Sequence, residues 1–325
     1  MKTLTVICPV YNEEAVIELF YEELKTVLNA LKEDYACTIL FVMDQGTDGT
    51  LDILRSISES DERVQVLAMS GRFGHQMSLL AGIDHCQSDV AIMMDSDLQH
   101  PPALIPTLLA KYEQGHDVVY THREDNPDIG VVKQSVSRLF YRFINLISDI
   151  PIRESSADFR LVSRRVLRIF QTEIRERNQF LRGLFGWIGF NSAVVSFRVQ
   201  DRRAGQSKYS LARLVRFGAD GVVSFSKKPL QAAILVGLCF AGFGFVLTVL
   251  TFVQYFLYSS WPPGWATLVI LMSVFSSTQL VFLGILGEYI GAIFDEVKGR
   301  PHYIVSEGLN IRPLTRRIER RVVLE

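Results

Sequence analysis

In the stretch "AIMMDSDLQHPP", Ala91 to Pro102, an apolar run typical of a buried strand ends abruptly in two acids one residue apart. In an extended chain alternate side chains point to the same side, so Asp95, Asp97 and Gln99 present oxygen atoms together at the strand's exit. Hard divalent cations take such oxygens, commonly one or two carboxylates completed by substrate phosphates. The stretch therefore predicts a cation site; the alternative is a turn with two solvated acids.

Strand and helix patterns alternate along the first 120 residues or so. Short, nearly continuous apolar runs predict strands at Leu4–Cys8, Thr38–Met43, Val64–Met69, Val90–Met94 and Val118–Thr121. Helical spacing between them predicts helices over about Glu13–Leu31, Leu51–Ile57, Gln76–Cys86 and Ala103–Tyr112. Repeated strand–helix units of this kind indicate an α/β domain with a doubly wound parallel sheet.

Polar residues follow four of the predicted strands. They are Pro9–Glu14, Asp44, Asp95–Gln99 and Arg123. In open α/β sheets ligands bind outside the carboxyl ends of the strands. Polar groups at four separate strand ends favour a binding site over a series of unrelated turns.

Charge is distributed unevenly, although the net charge is −1. Residues 1–120 contain 7 Lys and Arg against 19 Asp and Glu, and the remainder contains 27 against 16. The four cysteines are scattered without a CxxC spacing, which argues against a zinc site or a disulfide framework and fits a reducing compartment. The N-terminus runs straight into a strand-like segment, so we expect no signal peptide.

Two apolar segments, roughly 230–258 and 266–290, predict membrane spans, since no charged residue lies between Lys228 and Glu288. Aromatic residues gather at the break "SSWPPGW", Ser259 to Trp265, as in an interfacial belt. Basic residues flank both spans, which places both termini in the cytosol. Helical spacing over Leu211–Phe225, with interspersed arginines, predicts an amphipathic helix at the membrane interface.

Familiar catalytic motifs are missing from the sequence. There is no GxGxxG, no P-loop and no nucleophile elbow, and the loop starting at Asp44 has Arg55 where a calcium loop needs Glu. A cation site in a parallel-sheet cleft suits a nucleotide diphosphate, and a basic region beside a bilayer suits an anionic lipid headgroup. Together they predict transfer of a group from a nucleotide to a phospholipid-like acceptor.

Several motifs in order resemble family 2 glycosyltransferases. They are "CPVYNEE" at Cys8–Glu14, the turn led by Asp44, "RFGHQ" at Arg72–Gln76, "DSDLQHPP" at Asp95–Pro102 and "AGQSKYS" at Ala204–Ser210. More narrowly the chain is similar to polyisoprenyl-phosphate glycosyltransferases, and "GEYIGAIFDEVKGRPHYIV", Gly287 to Val305, resembles the bactoprenol glucosyltransferases of O-antigen modification. Gln45 stands where the family often has a second acid, and the asparagine often found before Phe73 is missing.

The resemblance implies a GT-A (Rossmann-like) fold and a role for each matching residue. The nucleotide sugar would be held by Pro9, Tyr11, Glu13, Asp44, Asp95 and Ser96, and Mg²⁺ or Mn²⁺ by Asp95, Asp97 and Gln99. Asp97 and Asp158 would be catalytic, with Asp158 orienting or deprotonating the nucleophile. Arg123, Arg202 and Lys208 would pair with the lipid phosphate.

We therefore expect a cytosolic GT-A domain over 1–200, a basic acceptor loop and amphipathic helix over 201–228, two spans over 229–293 and a basic tail over 294–325. The expected reaction moves glucose from UDP-glucose onto undecaprenyl phosphate at the cytoplasmic membrane with inversion. Expected partners are these substrates, the bilayer and a second copy of the chain, and no nucleic acid. A GDP-mannose-dependent mannosyltransferase and a non-catalytic nucleotide-sugar sensor or scaffold are the alternatives, whereas a processive synthase is disfavoured because "QFLRG", Gln179 to Gly183, lacks the tryptophan of QxxRW.

Overall fold

The computed structural model describes residues 1–124, 156–177, 179–198, 226–258 and 264–311. The strands are β1 (Lys2–Val10), β2 (Tyr35–Met43), β3 (Val64–Met69), β4 (Val90–Met93), β5 (Val118–Glu124), β6 (Ser156–Ser163), β7 (Ser192–Arg198) and β8 (Val305–Leu309). The helices are α1 (Ile17–Ala30), α2 (Thr50–Ser60), α3 (His75–His85), α4 (Ile105–Glu113), α5 (Arg164–Thr172), α6 (Leu181–Trp187), α7 (Lys228–Tyr258) and α8 (Trp265–Lys298). The five strands predicted over the first 120 residues or so are therefore present, with small differences at their ends.

The strands form one mixed sheet in the order β7-β5-β6-β4-β1-β2-β3-β8. Its centre, β4-β1-β2-β3, is parallel as predicted. The expectation of a wholly parallel sheet is wrong, because β6 runs antiparallel between β4 and β5, and β8 runs antiparallel beside β3. β6 was not predicted from the sequence, because the charged residues Asp158 and Arg160 occupy buried positions in it.

The parallel centre of the sheet is buried on both faces. Every residue of β1 from Leu4 to Val10 is buried, which explains its nearly continuous apolar sequence. Helix α3 packs closely on this strand through Gly82, where a Cβ atom would lie 2.2 Å from Cγ2 of Ile7. This close approach fixes α3 against β1, so the N-terminus of α3 has a defined place at the carboxyl edge of the sheet.

Helices α7 and α8 belong to a second compact unit, distinct from the unit that contains the sheet. Both are long and apolar enough to cross a membrane, as predicted. At 34 residues α8 is about 51 Å long, which exceeds the about 30 Å of a bilayer core, so its charged last turn would extend beyond the hydrocarbon. Phe240 and Phe275 join the two helices edge to face, with ring centroids 5.2 Å apart.

The glycine pair Gly287 and Gly291 does not join the two helices. No described atom lies within 4 Å of a Cβ built at either position. Packing of α7 on α8 through this pair is therefore not observed within the described residues. The expected self-association of the chain stays a prediction.

The segment after α8 differs most from expectation. Residues 305–309, predicted as part of a basic surface tail, form β8 and extend the sheet of the N-terminal domain. The amphipathic helix over 211–225, the basic residues Arg202 and Lys208, and residues 312–325 lie outside the described residues.

Candidate functional site

A cleft of about 290 Å³ opens at the carboxyl ends of β1, β2 and β4. Its lining residues are Pro9, Val10, Tyr11, Glu13, Asp44, Arg72, Gly74, His75, Ser78, Asp95, Ser96 and Asp97. The cleft lies where ligands bind in open α/β sheets. The cleft therefore brings together all seven residues that the sequence predicted at these three strand ends. They are Pro9, Tyr11, Glu13, Asp44, Asp95, Ser96 and Asp97.

The turn after β1 is bonded to the turn after β2. Asn12 adopts a left-handed backbone (φ 55°), and its Oδ1 accepts from the Thr47 backbone N–H at 2.9 Å. The Glu14 carboxylate accepts from the Gly49 backbone N–H at 3.0 Å. Gly46 leaves room for the Asn12 side chain, since a Cβ there would lie 2.5 Å from Oδ1. These bonds hold Tyr11 and its neighbours at the cleft before any ligand arrives.

Asp44 lines the cleft and bonds the loop before α3. Its carboxylate is buried and accepts from the backbone N–H groups of Phe73 at 2.7 Å and Gly74 at 2.8 Å. Gly74 has φ +92°, a conformation that favours glycine. Both carboxylate oxygens of Asp44 are thus bonded to the loop before α3, so this residue orders the loop in addition to lining the cleft.

Changing Asp44 to Asn is expected to loosen that loop. The new amide group would face a backbone N–H, and leaving buried donors unpaired costs about 1–3 kcal/mol. We expect the KM for the predicted nucleotide sugar to rise about tenfold, which corresponds to about 1.4 kcal/mol. Steady-state kinetics and denaturant unfolding check both effects against Asp52→Asn, whose side chain is 81% exposed on α2. Unchanged values in the Asp44 variant would contradict this role.

Arg72 and Tyr11 form a stacked pair at the cleft. The guanidinium carbon of Arg72 lies 4.2 Å from the centre of the Tyr11 ring. Planar cationic and aromatic groups of this kind suit stacking with a flat ligand such as a nucleobase. Tyr11 was predicted to hold the nucleotide, whereas Arg72 was not assigned a role from the sequence.

Asp95 is surrounded by two histidines. Nε2 of His75 donates to Asp95 Oδ1 at 2.7 Å, and the Asp95 backbone N–H donates to Nδ1 of His100 at 2.9 Å. Burial alone would raise the pKa of the Asp95 carboxyl, but the imidazoles of His100 and His75 outweigh it and lower the pKa. Burial likewise disfavours the charged form of His75, yet its bond to Asp95 and the nearby carboxylates raise its pKa.

Asp97 sits on a tight turn directly after β4. Its Oδ1 accepts from the Gln99 backbone N–H at 3.1 Å, and Leu98 between them has φ 63°. A leucine in the left-handed region is strained, and such strain is found where structure fixes a functional side chain. The neighbouring Ser96 hydroxyl donates to the Pro9 carbonyl at 3.1 Å and joins this turn to β1. Gln99 does not line the cleft.

Asp158 on β6 is clamped by two arginines. Nε and Nη2 of Arg182 donate to its two oxygens at 2.9 and 2.7 Å, and Nη2 of Arg160 donates at 3.0 Å. Burial would raise the pKa of Asp158, but the Arg182 hydrogen bonds and the charges of both arginines hold it well below its usual range. Nδ1 of His75 lies 3.8 Å from this carboxylate, so the clamp lies beside the cleft. Asp158 is thus ionised and already bonded, a state that suits orientation of a neighbour better than proton removal.

Arg123, the third predicted phosphate contact, is exposed near the end of β5 and does not line the cleft. The structure therefore brings together seven predicted residues, leaves Gln99, Arg123 and Asp158 outside the lining, and adds Arg72 and His75. Both added residues lie in "RFGHQ", a motif to which the sequence analysis assigned no contacts.

The cleft fits a divalent cation that is completed by its substrate. Within the described ranges no group of three or more His, Cys, Asp or Glu side chains is arranged to hold a metal ion. Asp95 and Asp97 nevertheless both face the cleft from one strand end. Mg²⁺ is commonly held by one or two carboxylates together with substrate phosphates, so two carboxylates are sufficient on the protein's side.

Comparison with known proteins identifies the family of this chain. The model of the family described as "Glycosyl transferase family 2" matches residues 5–170. The chain belongs to glycosyl transferase family 2. The family match and the mixed sheet confirm the expected GT-A glycosyltransferase domain.

Relatives in this family match nearly the whole chain. An uncharacterized glycosyltransferase, YkcC of Bacillus subtilis, is 38% identical over 94% of each chain. The SfII prophage-derived bactoprenol glucosyl transferase of Shigella flexneri is 34% identical over 94% of this chain and 97% of its own. Among solved structures, glucosyl-3-phosphoglycerate synthase of Mycobacterium tuberculosis with Mn²⁺, UDP and phosphoglyceric acid is 17% identical, with a TM-score of 0.44 over 68% of this chain and 76% of that one.

Proposed function

We propose that this glycosyltransferase moves glucose from UDP-glucose onto undecaprenyl phosphate, with inversion at the anomeric carbon. The observation that carries the proposal is the pair of carboxylates, Asp95 and Asp97, facing a cleft whose other wall is the Tyr11–Arg72 stack. The names of the relatives supply the sugar and the acceptor, since several are called bactoprenol glucosyl transferase.

In the proposed complex the nucleotide base stacks at Tyr11 and Arg72, and the diphosphate lies at Asp95 and Asp97. Asp95 and Asp97 would hold a divalent cation, Mg²⁺ or Mn²⁺, whose positive charge would neutralise the departing diphosphate. His75 and the turn at Leu98 keep the two carboxylates pointing into the cleft. Preorganised groups of this kind need no rearrangement at the moment of reaction.

The acceptor phosphate attacks the anomeric carbon from the face opposite the diphosphate. A bond forms from a phosphate oxygen to that carbon, the bond from the carbon to the diphosphate oxygen breaks, and its electron pair leaves with the nucleoside diphosphate. Because the phosphate oxygen is already anionic near neutral pH, no strong base is needed. Asp158 therefore has the orienting role, holding the partly exposed Arg182 (33% exposed) beside the cleft. Arg123, Arg202 and Lys208 remain the proposed contacts of the lipid phosphate.

We propose that α7 and α8 cross the cytoplasmic membrane as a pair and leave both termini in the cytosol. The sheet supports this, because β1 to β7 precede α7 in the chain and β8 follows α8, yet all eight strands belong to one sheet. The chain before α7 and the chain after α8 therefore belong to the same sheet and must lie on the same side of the membrane. Two ends on the same side require an even number of membrane crossings. Basic residues at Lys227, Lys228, Lys298 and Arg300 agree with a cytosolic location.

The experiment uses the full chain in detergent with undecaprenyl phosphate and Mg²⁺ or Mn²⁺. Labelled UDP-glucose, UDP-GlcNAc and GDP-mannose are supplied separately, and the lipid phase is extracted. We expect label in the lipid from UDP-glucose, abolished by EDTA. Label in the lipid from GDP-mannose instead would show that the donor is GDP-mannose. If no donor labels the lipid but the protein still binds nucleotide, the result would favour a nucleotide-sugar sensor.

A further inference from the structure

We propose that the segment from Pro301 to Ile311, which follows α8, is a positioning element for the nucleotide-binding wall of the cleft. The inference rests on the proposed function, since it names what holds one side of that site. It concerns contacts within the unit that contains the sheet. The contacts lead in an unbroken sequence from this segment to the residues that line the cleft.

Pairing between β8 and β3 continues to Met69, the last residue before the loop that connects β3 to α3. Met69 pairs with Val305, and the Ser70 backbone N–H then donates to the Ile304 carbonyl at 2.9 Å. Ser70 begins the loop that connects β3 to α3. The C-terminal segment thus fixes the point at which this loop leaves the sheet.

Side chains fasten the segment at three places. The Tyr303 hydroxyl donates at 2.8 Å to Asp84 of α3, whose side chain is 4% exposed and also accepts two bonds from Arg175. In the middle, the Ser306 hydroxyl donates at 3.0 Å to a backbone carbonyl of β3. Near the far end, the Asn310 amide donates to backbone carbonyls of α2 and β3 at 2.7 and 3.0 Å. The segment is therefore bonded to the elements that lie on both sides of the loop.

From Ser70 the loop forms a wall of the cleft within a few residues. Arg72 stacks on Tyr11, the backbone N–H groups of Phe73 and Gly74 bond Asp44, and His75 bonds Asp95. Without β8, strand β3 would be an edge strand of the described sheet, and its outer backbone groups would be unpaired. Edge elements with few partners open locally more easily, so the loop would lose the fixed start that aligns this wall.

The test combines Tyr303→Phe, Ser306→Ala and Asn310→Ala in the full chain in detergent. We expect amide hydrogen exchange of the peptide over residues 70–78 to become about tenfold faster, since exchange reports local opening. The Kd for UDP with Mg²⁺ should rise about tenfold, as expected when a preorganised wall is lost. Exchange over β1 should stay as in the unchanged protein.

The matched control is Glu307→Gln on the same strand, which removes only the half-exposed ion pair of Glu307 with Arg55 and should behave as the unchanged protein. Unchanged exchange over residues 70–78 in the triple variant would overturn the proposal, as would an equal increase over β1. If the triple variant does not fold, amide exchange over residues 70–78 and over β1 is compared in Tyr303→Phe alone. Should the unchanged protein bind no UDP, the proposed donor fails, while the exchange result still decides the positioning role.

Discussion

Changing Asp97 to Asn is expected to lower the rate of sugar transfer by about two to three orders of magnitude, as removal of one preorganised charge-stabilising group does in other enzymes. Asp97 faces the cleft directly after β4 and is a proposed cation ligand. Asparagine keeps the oxygen that accepts from the Gln99 backbone N–H, so the turn at Leu98 should survive. The loss should therefore appear in transfer and in cation-dependent nucleotide binding, with the free energy of unfolding unchanged.

The measurement is transfer at saturating substrate, together with calorimetric titration of UDP at several Mg²⁺ concentrations. Asp52→Asn removes a carboxylate that is 81% exposed on α2 and serves as the matched control. Full transfer by the Asp97 variant would remove this residue from the reaction. An unfolded variant would instead show that its turn matters for the fold.

The second large effect is on stability, and it concerns Asp158. In Asp158→Asn the buried Arg160 (1% exposed) and the neighbouring Arg182 lose their shared counter-charge. Removing one partner of a buried ion pair costs about 3–5 kcal/mol. We expect the free energy of unfolding to fall by that amount in denaturant titration, whereas Asp52→Asn should stay within about 0.5 kcal/mol of the unchanged protein.

The pH dependence separates the clamp from a catalytic base. The folded-state pKa of Asp158 is lowered, so its contribution to stability is present above the ordinary carboxyl pKa of about 4 and is lost as the pH falls below it. We therefore expect the stability difference between the variant and the unchanged protein to be constant from about pH 6 to 8 and to shrink only in acid. A limb of the kcat profile near neutral pH that disappears in Asp158→Asn would instead identify Asp158 as a base.

The residue pattern predicted the parallel centre of the sheet and the cluster at its carboxyl edge. Apolar runs such as Val64–Met69 end where the strands end, because a strand that is buried on both faces needs apolar residues along nearly its whole length. The acids at Asp95 and Asp97 followed from the same rule, because ligands meet such sheets at one edge. The two apolar helices were equally predictable from the absence of charge.

Features that depend on distant pairing were not predictable in this way. β8 is a short strand, "VSEGL", whose polar sequence does not by itself predict a strand. It forms a strand by pairing with β3, which lies more than 230 residues earlier in the chain. β6 was hidden because its charged residues are buried in pairs that only the fold brings together, as Asp158 and Arg182 show. The contact between His75 and Asp95 likewise depends on the position of α3 in the fold, so the sequence did not predict it.

Sugar transfer to the lipid is tested by the stoichiometry between the nucleoside diphosphate released and the sugar gained by the lipid. The full chain is incubated with labelled UDP-glucose and Mg²⁺, with and without undecaprenyl phosphate, and both products are counted in one sample. We expect one labelled lipid for each UDP released, and little release of UDP without the acceptor. Release of UDP that is independent of the lipid, with no label in the lipid phase, would contradict it.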